Sequence, residues 1–377
     1  MKYYLIAGER SGDLHAANLI KALKREDPGA TFRAWGGDLM QQAGADLVRH
    51  YRELAFMGFW EVFKNLRTLS RFIDQCQADL LAHRPDVVIL VDYAGFNMRI
   101  AKFAKARGIR VFYYISPKVW AWNQKRAYKI KALVDRMFVI FPFEQEFYRQ
   151  YDYTVDYVGN PLLDEIGAFS PDPAFRQGHQ LDDRPIIALL PGSRRQEVEK
   201  MLDIMLGVKP HFPGYQYVVA AVTNLPASFY EGLAKQHGIS VVYDKSYDLL
   251  AQATAALVTS GTATLETALF RVPQVVCYRL SSISYQITKR LIKVKYISLV
   301  NLIADRPVVP ELIQDELNPE RLRAELGAIL PGGASREAQL AGYREIAQQM
   351  GTAGASTTAA RLMVGYLRSP APAKAGA

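Results

Sequence analysis

Four short stretches put chemically capable side chains directly after a β-type run. Asp92 closes the apolar run 87–91 and is followed by Tyr93, Ala94, Gly95, Phe96 and Asn97. A carboxylate at that edge stands where a general base would take a proton from an attacking hydroxyl, provided that burial or neighbours keep it poised. An Asp that caps the next helix has the same placement, so both readings stay open. In SGTATLE (260–266), Ser260, Gly261, Thr262 and Ala263 keep side chains small where a helix begins. Backbone N–H groups and the positive end of the helix dipole can there face an anion. Thr262 and Thr264 add hydroxyls, and Glu266, one turn in, is placed to hydrogen-bond a sugar's hydroxyls; a plain helix start uses the same residue types. In LPGSRRQE (190–197), Gly192 and Ser193 precede Arg194, whose guanidinium can fork onto phosphate oxygens at another helix start. The G-x-x-x-x-G-K-[ST] pattern of an ATPase loop is absent, which leaves a nucleotide-diphosphate cradle of a different kind.

GERSGD (8–13) is the fourth stretch, and it is not G-x-G-x-x-G, so a nicotinamide or flavin is weakly supported. Ser11 and Gly12 read as a sugar- or phosphate-facing loop, or as a tight turn with Asp13 near a helix start. SPKVWAW (116–122) sets Ser116, Trp120 and Trp122 beside Lys118, Lys125 and Arg126. Two tryptophans at i and i+2 do not share a helix face, which suggests a wall for sugar or acyl groups with cations for phosphate. Base stacking uses the same chemistry, but no nucleic-acid-binding module pattern accompanies it. Residues 54–73 form a helical pattern with Phe59, Phe63, Leu66, Leu69 and Ile73 on one stripe and Lys64, Arg67 and Arg71 on another face. Phe56, Met57 and Trp60 make it more apolar than a one-sided surface helix requires, so lipid contact competes with ordinary core packing. The six histidines are scattered, Cys76 and Cys277 match no ligand spacing, and no D-x-D is present. No metal or cofactor is expected, and arginine with helix dipoles must carry the charge of any departing diphosphate.

These residues need elements that hold them at strand ends. Runs at 3–8, 31–36, 86–92, 110–116, 136–141 and 154–158 read as strands alternating with helical patterns, and 185–191, 215–221, 240–243, 255–260 and 274–278 repeat the style. That alternation predicts an α/β fold with two doubly wound parallel sheets. A length of 377 residues, half of them apolar, fits two domains. The expected boundaries are an N-terminal domain at 1–168 and a second domain at 169–334. A linker is expected at 169–180, where SPDP interrupts the periodicity. A helical segment at 335–368 crosses back to the first domain or reaches a second chain, and 369–377 is a disordered tail. The net charge of +9 sits in the first half: residues 1–160 hold 24 basic and 17 acidic groups, and 161–377 hold 22 and 20. Eleven of the bases fall between residues 99 and 136 against the single acid Asp135, a block that attracts nucleic acid, an anionic membrane or a phosphorylated substrate. No apolar run reaches bilayer length and the run 3–7 is too short for a signal peptide, so a cytoplasmic protein with two core cysteines is expected.

Several long motifs in order, GERSGD, MGFWEVF (57–63), 92–97, SPKVWAW, FPFE (141–144), VGNP (158–161), LPGSRRQE, SGTATLE and 296–314, resemble the lipid-A-disaccharide synthase family nearly end to end. The resemblance implies a GT-B architecture, with two Rossmann-like domains facing a cleft. It implies an inverting glycosyltransferase that joins UDP-2,3-diacylglucosamine to 2,3-diacylglucosamine 1-phosphate, giving the β-1,6-linked disaccharide 1-phosphate and UDP at the cytoplasmic face of the inner membrane. Asp92 would be the base. Gly192, Ser193, Arg194, Ser260, Gly261, Thr262, Ala263 and Glu266 would hold UDP, with Glu266 on the ribose and Asn301, Glu311 and Gln314 completing that side. Ser11, Gly12, Asn97, Ser116, Trp120 and Trp122 would face the acceptor, and Phe56, Met57, Phe59, Trp60, Phe63, Lys64 and Arg67 lipid. No nucleic-acid partner is implied, and a homodimer stays open. The chain departs from the family's pattern at Gly95, where a second Asp is common, and at Arg10, Lys118 and Val300. Another UDP-sugar enzyme of the same fold, such as a UDP-N-acetylglucosamine 2-epimerase, would share the UDP side but need no lipid-facing segment. A non-catalytic binder of nucleic acid or anionic membrane would explain the basic block and leave Asp92, Arg194 and Glu266 without a purpose.

Overall fold

The computed structural model describes residues 1–55, 66–223, 225–280, 285 and 294–369. Two compact units result: Met1–Asp164 joined by the chain from Thr352, and Glu165–Gly351. In the first, seven strands form one parallel sheet in the order β3-β2-β1-β4-β5-β6-β7. They are β1 (Lys2–Ala7), β2 (Thr31–Gly36), β3 (Asp46–His50), β4 (Val87–Val91), β5 (Arg110–Tyr114), β6 (Arg136–Val139) and β7 (Asp156–Tyr157). Helices cover both faces of β4, so all five of its residues are buried and it reads as an unbroken apolar run. The strand order reverses between β1 and β4, and Ala7 lies opposite Val91. The turns that begin at Gly8 and Asp92 therefore leave adjacent strand ends at the point where the chain diverges to opposite sides, which is where open α/β sheets bind ligands.

The second unit repeats this plan with six strands in the order β10-β9-β8-β11-β12-β13. These are β8 (Ile186–Leu190), β9 (Gln216–Ala221), β10 (Ser240–Tyr243), β11 (Ala253–Thr259), β12 (Gln274–Tyr278) and β13 (Glu311–Ile313). Here the order reverses between β8 and β11, with Leu190 opposite Val258. Again two ligand-capable turns, 191–194 and 260–266, leave neighbouring strands at the switch point. Both Cys76 and Cys277 are free and buried. Among the described residues no helix is long and apolar enough to cross a membrane.

Two sequence expectations need correction, and a third, the return of 335–368 to the first unit, is met by two helices rather than one. β3 and β13 were not expected; each is an edge strand, short and only partly covered, so neither carries a full apolar run. The stretch 169–180 is not a linker. The Asp172 N–H donates to the buried Asp248 carboxylate at 2.7 Å, and Phe175 is fully enclosed in the core beside Ile186 and Leu249. The segment 335–368 is two helices, Arg336–Met350 in the second unit and Ala355–Arg368 in the first, separated at Gly351 and Gly354, both of which have positive φ. The last helix lays Ala359, Ala360, Met363 and Val364 onto Leu19, Ile20 and Leu23 of the helix Arg10–Glu26. Arg110 fixes it further, donating to the Tyr366 carbonyl at 2.8 Å.

Of the expected helix over 54–73, the structure shows Tyr51–Ala55 and Leu66–His83. Arg67 lies on the latter, which runs ten residues beyond Ile73 and buries Phe72 and Ile73. Phe56, Met57, Phe59, Trp60, Phe63 and Lys64 lie outside the residues whose side chains are described.

Candidate active site

In the first unit, Asp92 and Tyr93 follow β4 with φ of 45° and 44°. Two consecutive non-glycine residues in the left-handed region cost about 1–3 kcal/mol each and persist only where the surroundings enforce them. The Asp92 carbonyl accepts from Asn97 Nδ2 at 2.8 Å and from the Tyr113 hydroxyl, and its N–H donates to the Tyr114 carbonyl at 3.3 Å. Gly8 completes the clamp, because a Cβ there would overlap the Tyr93 ring. Burial pushes the Asp92 carboxyl above its usual range, while Lys118 and the Tyr93 N–H pull it partly back. The group is thus half-buried, held by its own backbone and shifted toward the working range of a general base. Asn97, expected on the acceptor side, is fully buried and also donates to the Val91 carbonyl at 3.2 Å. It holds the base's backbone.

Ser11 and Gly12 are not in a loop; they occupy the first turn of the helix Arg10–Glu26. Ser11 is exposed, whereas Gly12 packs so that a Cβ would lie 3.3 Å from that of Ala7. Asp13 instead accepts from the N–H groups of Gly37 and Met40 at 2.8 and 3.1 Å, tying down the start of the helix Asp38–Gln42. SPKVWAW divides in the same manner. Ser116 is buried and shares a 2.6 Å hydrogen bond with the Tyr148 hydroxyl. Trp120, 6% exposed, meets Phe143 edge to face at 5.0 Å. Only Trp122, 43% exposed, can face a ligand, and the Arg126 guanidinium lies 4.6 Å from its ring. The expected pair of tryptophan walls is therefore one wall and one core residue, because the helical turn Val119–Trp122 directs the two side chains apart. Glu144 of FPFE, to which sequence reading assigned no role, accepts from the Ile140 and Phe141 N–H groups at 3.2 and 3.0 Å. Burial raises it to about 7 despite those bonds and the neighbouring Trp120 and Ser116.

In the second unit, a pocket of ≈ 250 Å³ brings together Gly192, Ser193, Ser260, Gly261, Thr262, Ala263 and Glu266. Gly192 has φ of 108°, the left-handed region that favours glycine, and Glu197 Oε2 would lie 2.8 Å from a Cβ built there. No side chain caps the helix Thr262–Leu269, which leaves its first N–H groups available to an anion. Thr264, expected to add a hydroxyl, is fully buried and donates to the Gly261 carbonyl at 2.8 Å. Burial raises Glu266 to about 7, and the charge of Glu165 adds to the shift. Arg194 does not line the pocket. It is 83% exposed and pairs with Glu197 at 3.1 Å. Glu197 does line it, a residue that sequence reading passed over although its i, i+3 spacing from Arg194 was visible.

Asn301, Glu311 and Gln314 are committed to the protein. Asn301 accepts from the N–H groups of Val308 and Val309 at 2.7 and 2.9 Å and donates to the Val309 carbonyl and Glu311, each at 2.9 Å. Glu311 accepts from the Ile297 N–H at 2.9 Å, and the Ile297 carbonyl in turn accepts from Ser260 Oγ at 2.8 Å. Gln314 Oε1 accepts from the Leu280 N–H at 2.6 Å. Through these bonds Asn301 and Glu311 anchor the segment on which Ser260 rests, and Gln314 pins the end of the chain leaving β12.

A family model described as lipid-A-disaccharide synthetase matches residues 3–362. A lipid-A-disaccharide synthase of Syntrophus aciditrophicus is 41% identical over 364 residues, covering 94% of this chain and 95% of the relative. One of Geobacter sulfurreducens is 37% identical over 370 residues, covering 96% of each. Among solved structures, the UDP-GlcNAc 2-epimerase of Neisseria meningitidis bound to UDP-GlcNAc superposes with a TM-score of 0.67 at 12% identity, covering 97% of this chain and all of that one. The glycotransferase of kitacinnamycin gives 0.65 at 16%, covering 97% and 99%. At such identities the two superpositions speak for the fold alone, that of two Rossmann-like domains.

Proposed function

The chain belongs to the lipid-A-disaccharide synthetase family and is a glycosyltransferase, and from that premise we propose that it joins UDP-2,3-diacylglucosamine to 2,3-diacylglucosamine 1-phosphate. The products are UDP and the β-1,6-linked disaccharide 1-phosphate. The observation that carries the assignment of roles is Asp92: a carboxylate with raised proton affinity, fixed on strained backbone at a sheet's switch point. It takes the proton of the acceptor's 6-hydroxyl as that oxygen attacks the anomeric carbon of the donor. The bond to UDP breaks on the opposite face, so one base suffices and the configuration inverts.

Charge then develops on the leaving diphosphate. The N–H groups at the start of Thr262–Leu269 are aimed where that charge grows, and preorganised donors of this kind stabilise a transition state without reorganising. Arg194, itself exposed and free to exchange its half-buried Glu197 partner for a phosphate, adds a bidentate cation. Glu266 accepts from the ribose hydroxyls. The amphiphilic substrates, the aromatic residues at 56–63 and the basic block at 99–136 support work at the cytoplasmic face of the inner membrane. Incubation with the two acylated sugars tests this reading. Stoichiometric UDP release with a disaccharide phosphate is expected; epimerised UDP-sugar without disaccharide, or no UDP release, would overturn it.

A further inference from the structure

The first unit holds another concave site beside the Asp92 loop, of ≈ 170 Å³. Arg99, Arg126 and Lys129 line it, and no acidic side chain does. Arg99 comes from the helix Ala94–Ala106, and the other two come from Arg126–Leu133. All three are exposed, and among the described residues none has an ion-pair partner. Ala94 and Gly95, the first residues of a 13-residue helix, form one wall, so the positive end of that helix adds to the three cations. Pro117 and Val119 form another wall, and they flank the Lys118 whose charge acts on Asp92.

Placement decides what anion this site takes. Ala94, which lines the pocket, stands two residues from Asp92, so that wall of the pocket lies within about 7 Å of the base along the chain. In a glucosamine 1-phosphate, the C6 hydroxyl and the C1 phosphate stand on opposite flanks of the ring oxygen. We propose that the Arg99, Arg126 and Lys129 pocket is the subsite for the acceptor's phosphate monoester, which it holds while Asp92 addresses the hydroxyl across the ring. This rests on the glycosyl transfer proposed above. Guanidinium and ammonium donors from two helices suit a dianion, and the stacking of Arg126 on Trp122 pre-orients one of them. The same cations would also accept the phosphate of an anionic lipid headgroup, so a test must separate the two sources.

Arg99→Gln and Lys129→Gln serve as the variants, both at exposed positions where folding should not suffer. Turnover is measured in neutral detergent micelles with the phosphorylated acceptor and with its dephosphorylated counterpart. Each substitution should raise the KM for the phosphorylated acceptor by about tenfold, the worth of one charge-assisted contact. The donor KM and the KM for the dephosphorylated sugar should stay unchanged. An equal rise for both acceptors would overturn the subsite. So would an unchanged KM in micelles combined with weakened binding to anionic vesicles, which would assign the cations to membrane headgroups. If the unsubstituted protein uses both acceptors with equal KM, the subsite alone falls; if it uses neither, the transfer reaction itself falls and the subsite with it.

Discussion

At the end of β4 the first unit places a half-buried carboxylate on two left-handed residues, whereas at the end of β11 the second unit begins a helix with small residues and uncapped N–H groups. One switch point concentrates its chemistry in a single side chain. The other spreads it over backbone. Strain at Asp92 and Tyr93 is held by Asn97, Tyr113 and the space left by Gly8, so the base is positioned before any substrate arrives. The cradle is held indirectly, through Glu311, Ile297 and Ser260. A site made of one group should fail sharply when that group changes, and a site made of many N–H donors should fail most when its anchor is cut.

The largest expected effect follows from the first half of that contrast. Asp92→Asn should lower turnover by about 10²–10⁴, the range for a lost general base, with an unchanged melting temperature. Retained turnover would return Asp92 to the role of a helix cap. Next comes the anchor: Glu311→Ala strands the Ile297 and Ser298 N–H groups and one donor of Asn301. A loss of about 3 kcal/mol of stability is expected in urea unfolding, accompanied by weaker UDP binding; normal UDP affinity would break the link between the anchor and the cradle.

Arg194→Ala should weaken UDP binding and slow transfer together, each by about tenfold; an effect on acceptor KM alone would contradict its phosphate role. Lys118→Met gives the smallest change. Lys118 favours the ionised form of Asp92, so without it the carboxylate holds its proton to higher pH and the acidic limb of the kcat/KM profile moves upward. A limb that stays in place, or moves to lower pH, would show that another group governs it.

Much of this organisation is legible in the sequence where burial is two-sided. Central strands such as β4, β8 and β11 read as largely apolar runs, and the turns after β8 and β11 contain the residues that meet in the second unit's pocket. Edge strands β3 and β13, paired on one side only, carry no such run. Polar residues mislead for a different reason. Asn301, Asn97 and Thr264 have side chains suited to ligands, yet all are buried and hydrogen-bonded to backbone, a state that residue type cannot distinguish from ligand contact. Trp120 and Trp122 show the same limit, since only the helical turn between them decides which is buried. At 169–180, turn-forming residues suggested a linker although Phe175 and Asp172 are anchored by long-range contacts.

The division of labour between the units is tested most directly by calorimetric titration of UDP into the Asp92→Asn protein. The account predicts the same dissociation constant as the unsubstituted chain in a protein that no longer turns over. A loss of UDP affinity parallel to the loss of turnover would contradict it.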